Sequence, residues 1–143
     1  MHFRLHAILE SSLYVTDLDR AVAFYRDVLG LRPINDGYFE GGRGAAFQVG
    51  SAPSVLLLFR ADITRLGGIL PAHGTTGAGH LAFRIEPHEM EEWRKRLKDH
   101  GVAIEKELAF GENPPSIYFR DPDGNSLELA VCTIWALQSS ETK

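Results

Sequence analysis

Ser116-Ile117-Tyr118-Phe119-Arg120-Asp121-Pro122-Asp123-Gly124-Asn125-Ser126-Leu127-Glu128-Leu129-Ala130 is the stretch that decides the fold. Two strand-like runs flank one sharply specified turn. Asp121 stands first, Pro122 follows with its preset φ, and Gly124 sits where φ must be positive. Together they specify a type I turn closed by a glycine bulge, hence a three-residue hairpin loop. The register then sets Asp121 opposite Asn125, Arg120 opposite Ser126 and Tyr118 opposite Glu128. Tyr118 and Glu128 therefore lie side by side on one face, while Ile117, Phe119, Leu127 and Leu129 take the other. A glutamate in the middle of so apolar a strand is the anomaly that the remaining sequence has to explain.

Upstream of the hairpin, residues 79–85 read as a strand. Pro87 opens a helix whose Met90, Trp93, Arg94 and Leu97 form a stripe, Gly101 ends it, and residues 102–108 form a further strand. The order is β-α-β-β-β. The first half repeats it. Residues 7–15 form a strand with Glu10, Ser12 and Tyr14 on one face and Leu9, Leu13 and Val15 on the other. Thr16 or Asp17 caps a helix with Ala21, Phe24, Tyr25, Val28 and Leu29 on one stripe and Gly30 at its C-terminal cap. Strands at about 31–35, 45–49 and 54–60 follow. Residues 61–78 are too polar and glycine-rich for a regular element, and their His73 is either a surface histidine or part of a lid. The expected organisation is one α+β domain: a first βαβββ module over 1–66, a connecting loop over 67–77, a second module over 78–131 and a tail over 132–143. A short helix through Trp135 and Leu137 begins that tail, and 138–143 read as frayed.

A shift of seventy positions overlays the halves and carries Glu10 onto His80. It also matches Glu128 with Leu58. Glu10, His80 and Glu128 are thus ionisable groups set in apolar strands, where each needs a partner, a proton or a metal. One imidazole and two carboxylates supply three ligands for a divalent ion and leave coordination positions open; this donor set suits Mn²⁺, Fe²⁺, Ni²⁺ or Zn²⁺. The plainer alternatives are that Glu10 faces water, that His80 donates to a carbonyl, and that Glu128 pairs with Arg120 or Arg84.

Three segments in order resemble the vicinal oxygen chelate superfamily of glyoxalases, bleomycin-binding proteins, thiol transferases and extradiol dioxygenases. They are the run from Leu13 through Asp17-Leu18-Asp19-Arg20-Ala21 to Gly30-Leu31, then Gly79-His80-Leu81-Ala82-Phe83, and last Tyr118 to Leu129. The resemblance implies two βαβββ modules, each a curled mixed half-barrel sheet around a cleft with its helix outside, and a homodimer. It implies Glu10, His80 and Glu128 as metal ligands, with Glu10 standing where the family more often has His or Gln. A glyoxalase with four protein ligands would need a carboxylate at the position matched as Leu58. Tyr118 could donate to a substrate oxygen beside the metal or simply pack. Ser12 and Ser116 share faces with Glu10 and Tyr118 and could bind a substrate oxygen, and Arg120 or Arg60 an anionic group. The implied activity is lyase, isomerase, thiol-transfer or ring-cleavage chemistry on a small oxygen-chelating substrate. The rival is metal-free sequestration of a drug or metabolite.

Composition narrows the partners. The net charge is −4 over 143 residues with both signs scattered, so no basic stripe for nucleic acid or an anionic membrane is present. Cys132 is the only cysteine, which excludes an intrachain disulfide and a cysteine-based zinc cluster. Residues 1–6 lack an apolar signal core, and the longest uncharged apolar run, 55–59, is far too short to span a bilayer. A cytoplasmic protein is expected, with a small molecule or a second copy of itself as partner.

Overall fold

A computed structural model of the chain describes residues 3–39, 42–51 and 53–137; the expected frayed tail over 138–143 lies outside them. Two compact units meet between Thr76 and Gly77. In the first, β1 (Glu10–Val15) pairs in parallel with β4 (Val55–Arg60), which pairs antiparallel with β3 (Gly44–Gln48), and β3 with β2 (Arg32–Phe39), giving the order β1-β4-β3-β2. The second unit repeats this as β5-β8-β7-β6, from β5 (His80–Arg84), β6 (Lys106–Leu108), β7 (Ser116–Arg120) and β8 (Ser126–Ala130). The α+β class with two mixed four-stranded sheets is as expected, and neither sheet closes on itself.

The helices follow from capping. Asp17 adopts extended backbone and its carboxylate accepts from the Arg20 N–H at 3.1 Å, so α1 (Leu18–Ala23) starts there. It continues as a π-helical turn over Phe24–Val28 before Gly30. In the second unit a 3₁₀ turn, Pro87–Glu89, leads into α3 (Met90–Asp99) and is closed by a reciprocal box between Glu86 and Glu89. Strand pleating sorts the rest. Leu13, Val15, Leu56 and Leu58 bury one face of the first sheet together with Ala21 and Val22 of α1. Leu81, Phe83, Ile117, Phe119, Leu127 and Leu129 share the corresponding face of the second sheet, and the last four are almost completely buried. The opposite faces carry Glu10, Ser12 and Tyr14 in one unit and His80, Tyr118 and Glu128 in the other.

Three expectations need correction. Residues 61–78 are not wholly irregular, because Ala61–Thr64 form the short α2. Residues 7–9 and 102–105 lie outside the strands. The partner of Glu128 in the repeat is Leu57, not Leu58: Ser12 pairs with Leu57 just as Ala82 pairs with Glu128. The interval from Glu10 to Val55 is one residue shorter than that from His80 to Ser126, and those residues are the strand partners. Leu58 therefore falls on the helix face and is fully buried.

The hairpin turn does more than reverse the chain. Asp121 Oδ1 accepts from the N–H groups of Asp123 and Asn125, both at 2.9 Å, and Asp121 Oδ2 accepts from Asn125 Nδ2 at 2.9 Å. The remaining Asn125 oxygen accepts from the Gly79 N–H at 2.7 Å, 46 positions earlier in the chain. Ser126 N–H in turn donates to the Gly79 carbonyl at 2.8 Å. Asn125 is 2% exposed, and removing its amide strands the half-buried Gly79 N–H and leaves Asp121 Oδ2 without this donor. Asn125→Ala is expected to cost about 1–3 kcal/mol, measured as a lower urea midpoint at unchanged slope.

Candidate metal-binding site and clefts

In the second unit His80, Tyr118 and Glu128 come together. The Ser126 carbonyl can only accept, so the His80 Nδ1 at 3.0 Å carries the proton and donates to it. The His80 Nε2 lies 3.3 Å from Glu128 Oε1. Two Lewis bases facing each other at that distance repel unless a cation lies between them, and the cation is either a second imidazole proton or a metal ion. The donor chemistry fits a divalent ion: one oriented imidazole nitrogen and one carboxylate oxygen, on neighbouring strands. Glu128 is 6% exposed, whereas the His80 side chain is half exposed and Glu10 is exposed. The desolvation argument made from sequence thus applies to Glu128 alone.

Tyr118 sits beside both, its ring stacked on the His80 imidazole with centroids 6.4 Å apart and planes 20° from parallel. Burial, followed by a hydrogen bond to the Glu128 carboxylate, holds the phenol above its usual range. It is a proton donor throughout neutral pH. Ser116 is fully buried on the same face, and its Oγ lacks a hydrogen-bond partner among the described residues. His80, Tyr118 and Glu128 open onto a cleft of about 500 Å³ whose apolar lining includes Phe110, Ile134 and Trp135.

Glu10 and Ser12 lie in the first unit, on a separate cleft of about 670 Å³ shared with Tyr14, Phe59 and His73. His73 is docked there, with its Nδ1 2.7 Å from the Tyr14 hydroxyl. Sequence reasoning gave Tyr14 no role, although it shares the face of Glu10, and set His73 between lid and surface. The other candidates are committed elsewhere. Arg120 forks onto Glu105 (2.8 and 3.2 Å) and donates to the Gly124 carbonyl at 3.0 Å, so the expected ion pair with Glu128 is not its role. Arg60 is held by Asp62 at 2.6 Å, and Arg84 lies 3.9 Å from Glu86. Among the described residues no three of His, Cys, Asp and Glu gather in one cluster, so within the second unit the site is a pair.

Comparison with known proteins places this geometry. The family model described as the Glyoxalase/Bleomycin resistance protein/Dioxygenase superfamily matches residues 4–129. The metallothiol transferase FosB of Staphylococcus saprophyticus is 33% identical over 121 residues, covering 84% of this chain and 73% of that protein. FosB of Shouchella clausii is 30% identical over 132 residues, 91% of this chain and 83% of its own. The crystal structure of lactoylglutathione lyase from Agrobacterium tumefaciens superposes with a TM-score of 0.85 at 33% identity, over 94% of this chain and 100% of that one.

The effect of Glu128 on the Tyr118 phenol can be tested by titration. In the alkaline absorbance difference at 295 nm between wild type and Tyr118→Phe, Tyr118 should ionise later than an ordinary tyrosine. Glu128→Gln removes the neighbouring charge and should bring that ionisation down towards the ordinary range. Indifference to Glu128→Gln would mean that the carboxylate is not the cause.

Proposed function

Because the chain belongs to the Glyoxalase/Bleomycin resistance protein/Dioxygenase superfamily, we propose that it is a divalent-metal enzyme acting on a small substrate held through adjacent oxygens. The observation that carries this reading is His80 Nε2 standing 3.3 Å from the buried Glu128 carboxylate, with its Nδ1 turned to the Ser126 carbonyl. His80 and Glu128 would hold the metal together with Glu10, the family-matched position in the first module, and a homodimer would complete the assembly. Mn²⁺, Ni²⁺, Zn²⁺ and Fe²⁺ all suit two carboxylates and an imidazole. The metal, when bound, supplies a Lewis acid for a chelated oxygen.

The chain's own residues do the remaining work. The Ser126 carbonyl fixes the His80 tautomer and its orientation. Tyr118, kept protonated by burial and by Glu128, turns its single O–H from that carboxylate to substrate oxygen as negative charge develops there. Phe110, Ile134 and Trp135 give the cleft an apolar wall that sheds water from the reacting centre. Thiol transfer and lyase or isomerase chemistry are the reaction classes favoured by the FosB and lactoylglutathione lyase relatives. Leu57, at the repeat position of Glu128, offers no fourth protein ligand, which favours a three-ligand site.

A metal-free binding protein is the second reading, and the apolar lining of both clefts favours it. Metal titration separates the two. Full-length wild type should bind Mn²⁺ in the micromolar range or better, and His80→Ala and Glu128→Ala should each weaken it by at least about 100-fold, since loss of a mere outer partner already costs 10- to 100-fold. Equal, negligible metal in wild type and Glu128→Ala would sink the enzyme reading. Small-molecule binding indifferent to EDTA and to Glu10→Ala would establish the other.

A further inference from the structure

The connection between the units holds a histidine more firmly than a surface loop requires. His73 N–H donates to the Thr64 carbonyl at 3.1 Å. The next residue, Gly74, has φ +144° and packs so closely that a Cβ there would lie 2.8 Å from Arg65 Cγ and 3.3 Å from Ala61 Cβ. The backbone is therefore pinned against the end of α2, in a conformation that a side chain would strain. The ring is pinned as well. It stands edge-on to Phe59 with centroids 4.7 Å apart, and its Nδ1 is hydrogen-bonded to the Tyr14 hydroxyl at 2.7 Å. His73 Nε2 has no hydrogen-bond partner among the described residues. A half-buried imidazole fixed through one nitrogen, with the other unpaired on an open cleft, is an unspent recognition group.

The cleft around it indicates what it recognises. Glu10, Ser12 and Tyr14 line one side at alternate positions of β1, so Glu10 and Tyr14 lie roughly 13 Å apart along the strand. Between these polar ends the wall is Phe39, Leu57, Phe59, Leu70 and Pro71, and no Lys or Arg is among the described lining residues. An anionic tail would find no fixed positive charge there, whereas an apolar body would replace water against aromatic faces. We propose that this cleft binds an uncharged, apolar-bodied molecule about the length of a substituted aromatic ring, whose distal hydrogen-bonding group is read by His73 Nε2, with Tyr14 fixing the ring. Only the placement of the molecule's other end, its oxygens towards Glu10, rests on the metalloenzyme reading above. His73 and Tyr14 are then specificity residues, and the aromatic wall selects against charged substrates.

The test uses the full-length chain, with and without Mn²⁺, and three probes of similar length: a catechol with a 3-oxobutyl tail, the same catechol with a butyl tail, and one with a propanoate tail. Affinities are read by calorimetry. The ketone should bind wild type about 5- to 10-fold more tightly than the butyl probe, the size of one net hydrogen bond, and more tightly than the carboxylate. His73→Phe keeps the packing on Phe59 and should erase the ketone's advantage while leaving butyl binding unchanged. Tyr14→Phe, which removes a single oxygen, should reduce that advantage and serves if His73→Phe fails to fold. An equal ketone advantage in wild type and in the foldable variant, carboxylate binding as tight as ketone, or no binding of any probe would each overturn the proposal. Failure of Mn²⁺ to bind, with the His73-dependent ketone preference intact, would remove the metal reading and leave this one standing.

Discussion

The hydrogen bond from the Gly79 N–H to the Asn125 side chain is the constraint on which the second unit depends. Parallel strands cannot be registered by a tight turn, because their connection is long. β5 and β8 are adjacent in space but more than forty residues apart in sequence. A turn that folds locally, Asp121 to Asn125, presents one amide oxygen to β5 immediately before His80, and the Ser126 N–H to Gly79 carbonyl bond completes the grip. The register follows: His80 opposite Ser126, Ala82 opposite Glu128. Slipping it by one residue would send His80 to the helix face and Leu81 to the cleft. The local turn thus sets the position of the distant histidine, which in turn meets the buried glutamate.

This explains what was legible in the sequence. The turn chemistry of Asp121-Pro122-Asp123-Gly124 fixed the antiparallel register, and Tyr118 does pair with Glu128. The repeat of β-α-β-β-β was readable because caps and strand periods are local properties, Asp17 and Gly30 among them. The alignment of one half on the other was readable only in part. Gly30 and Gly101 are already one residue out of step with the shift that joins Glu10 to His80, so the second half carries its extra residue in the helical segment. β4 must therefore be matched to β8 with that offset, which makes Leu57 the counterpart of Glu128. Burial was less legible. Glu10 and His80 lie in strands with apolar neighbours, yet both are on edge strands and exposed, because alternation alone does not say whether the second face of a sheet is covered. The docking of His73 on Tyr14 joins residues 59 positions apart through a glycine-rich segment, and no local pattern announces such a contact.

The two units share a topology and differ in the chemistry of their open faces. At the position where the second has Glu128, the first has Leu57, and where the second has Arg84 the first has Tyr14. One face carries a carboxylate buried between an imidazole and a phenol; the other carries an aromatic wall ending in a fixed imidazole. Glu10 is the exception, a carboxylate at the mouth of the aromatic face. It is exposed, and an uncompensated carboxylate is tolerated in water where it would be costly under apolar cover. One strand order, repeated in the two units, thus presents different side chains on its open faces, because the topology does not fix what those faces carry.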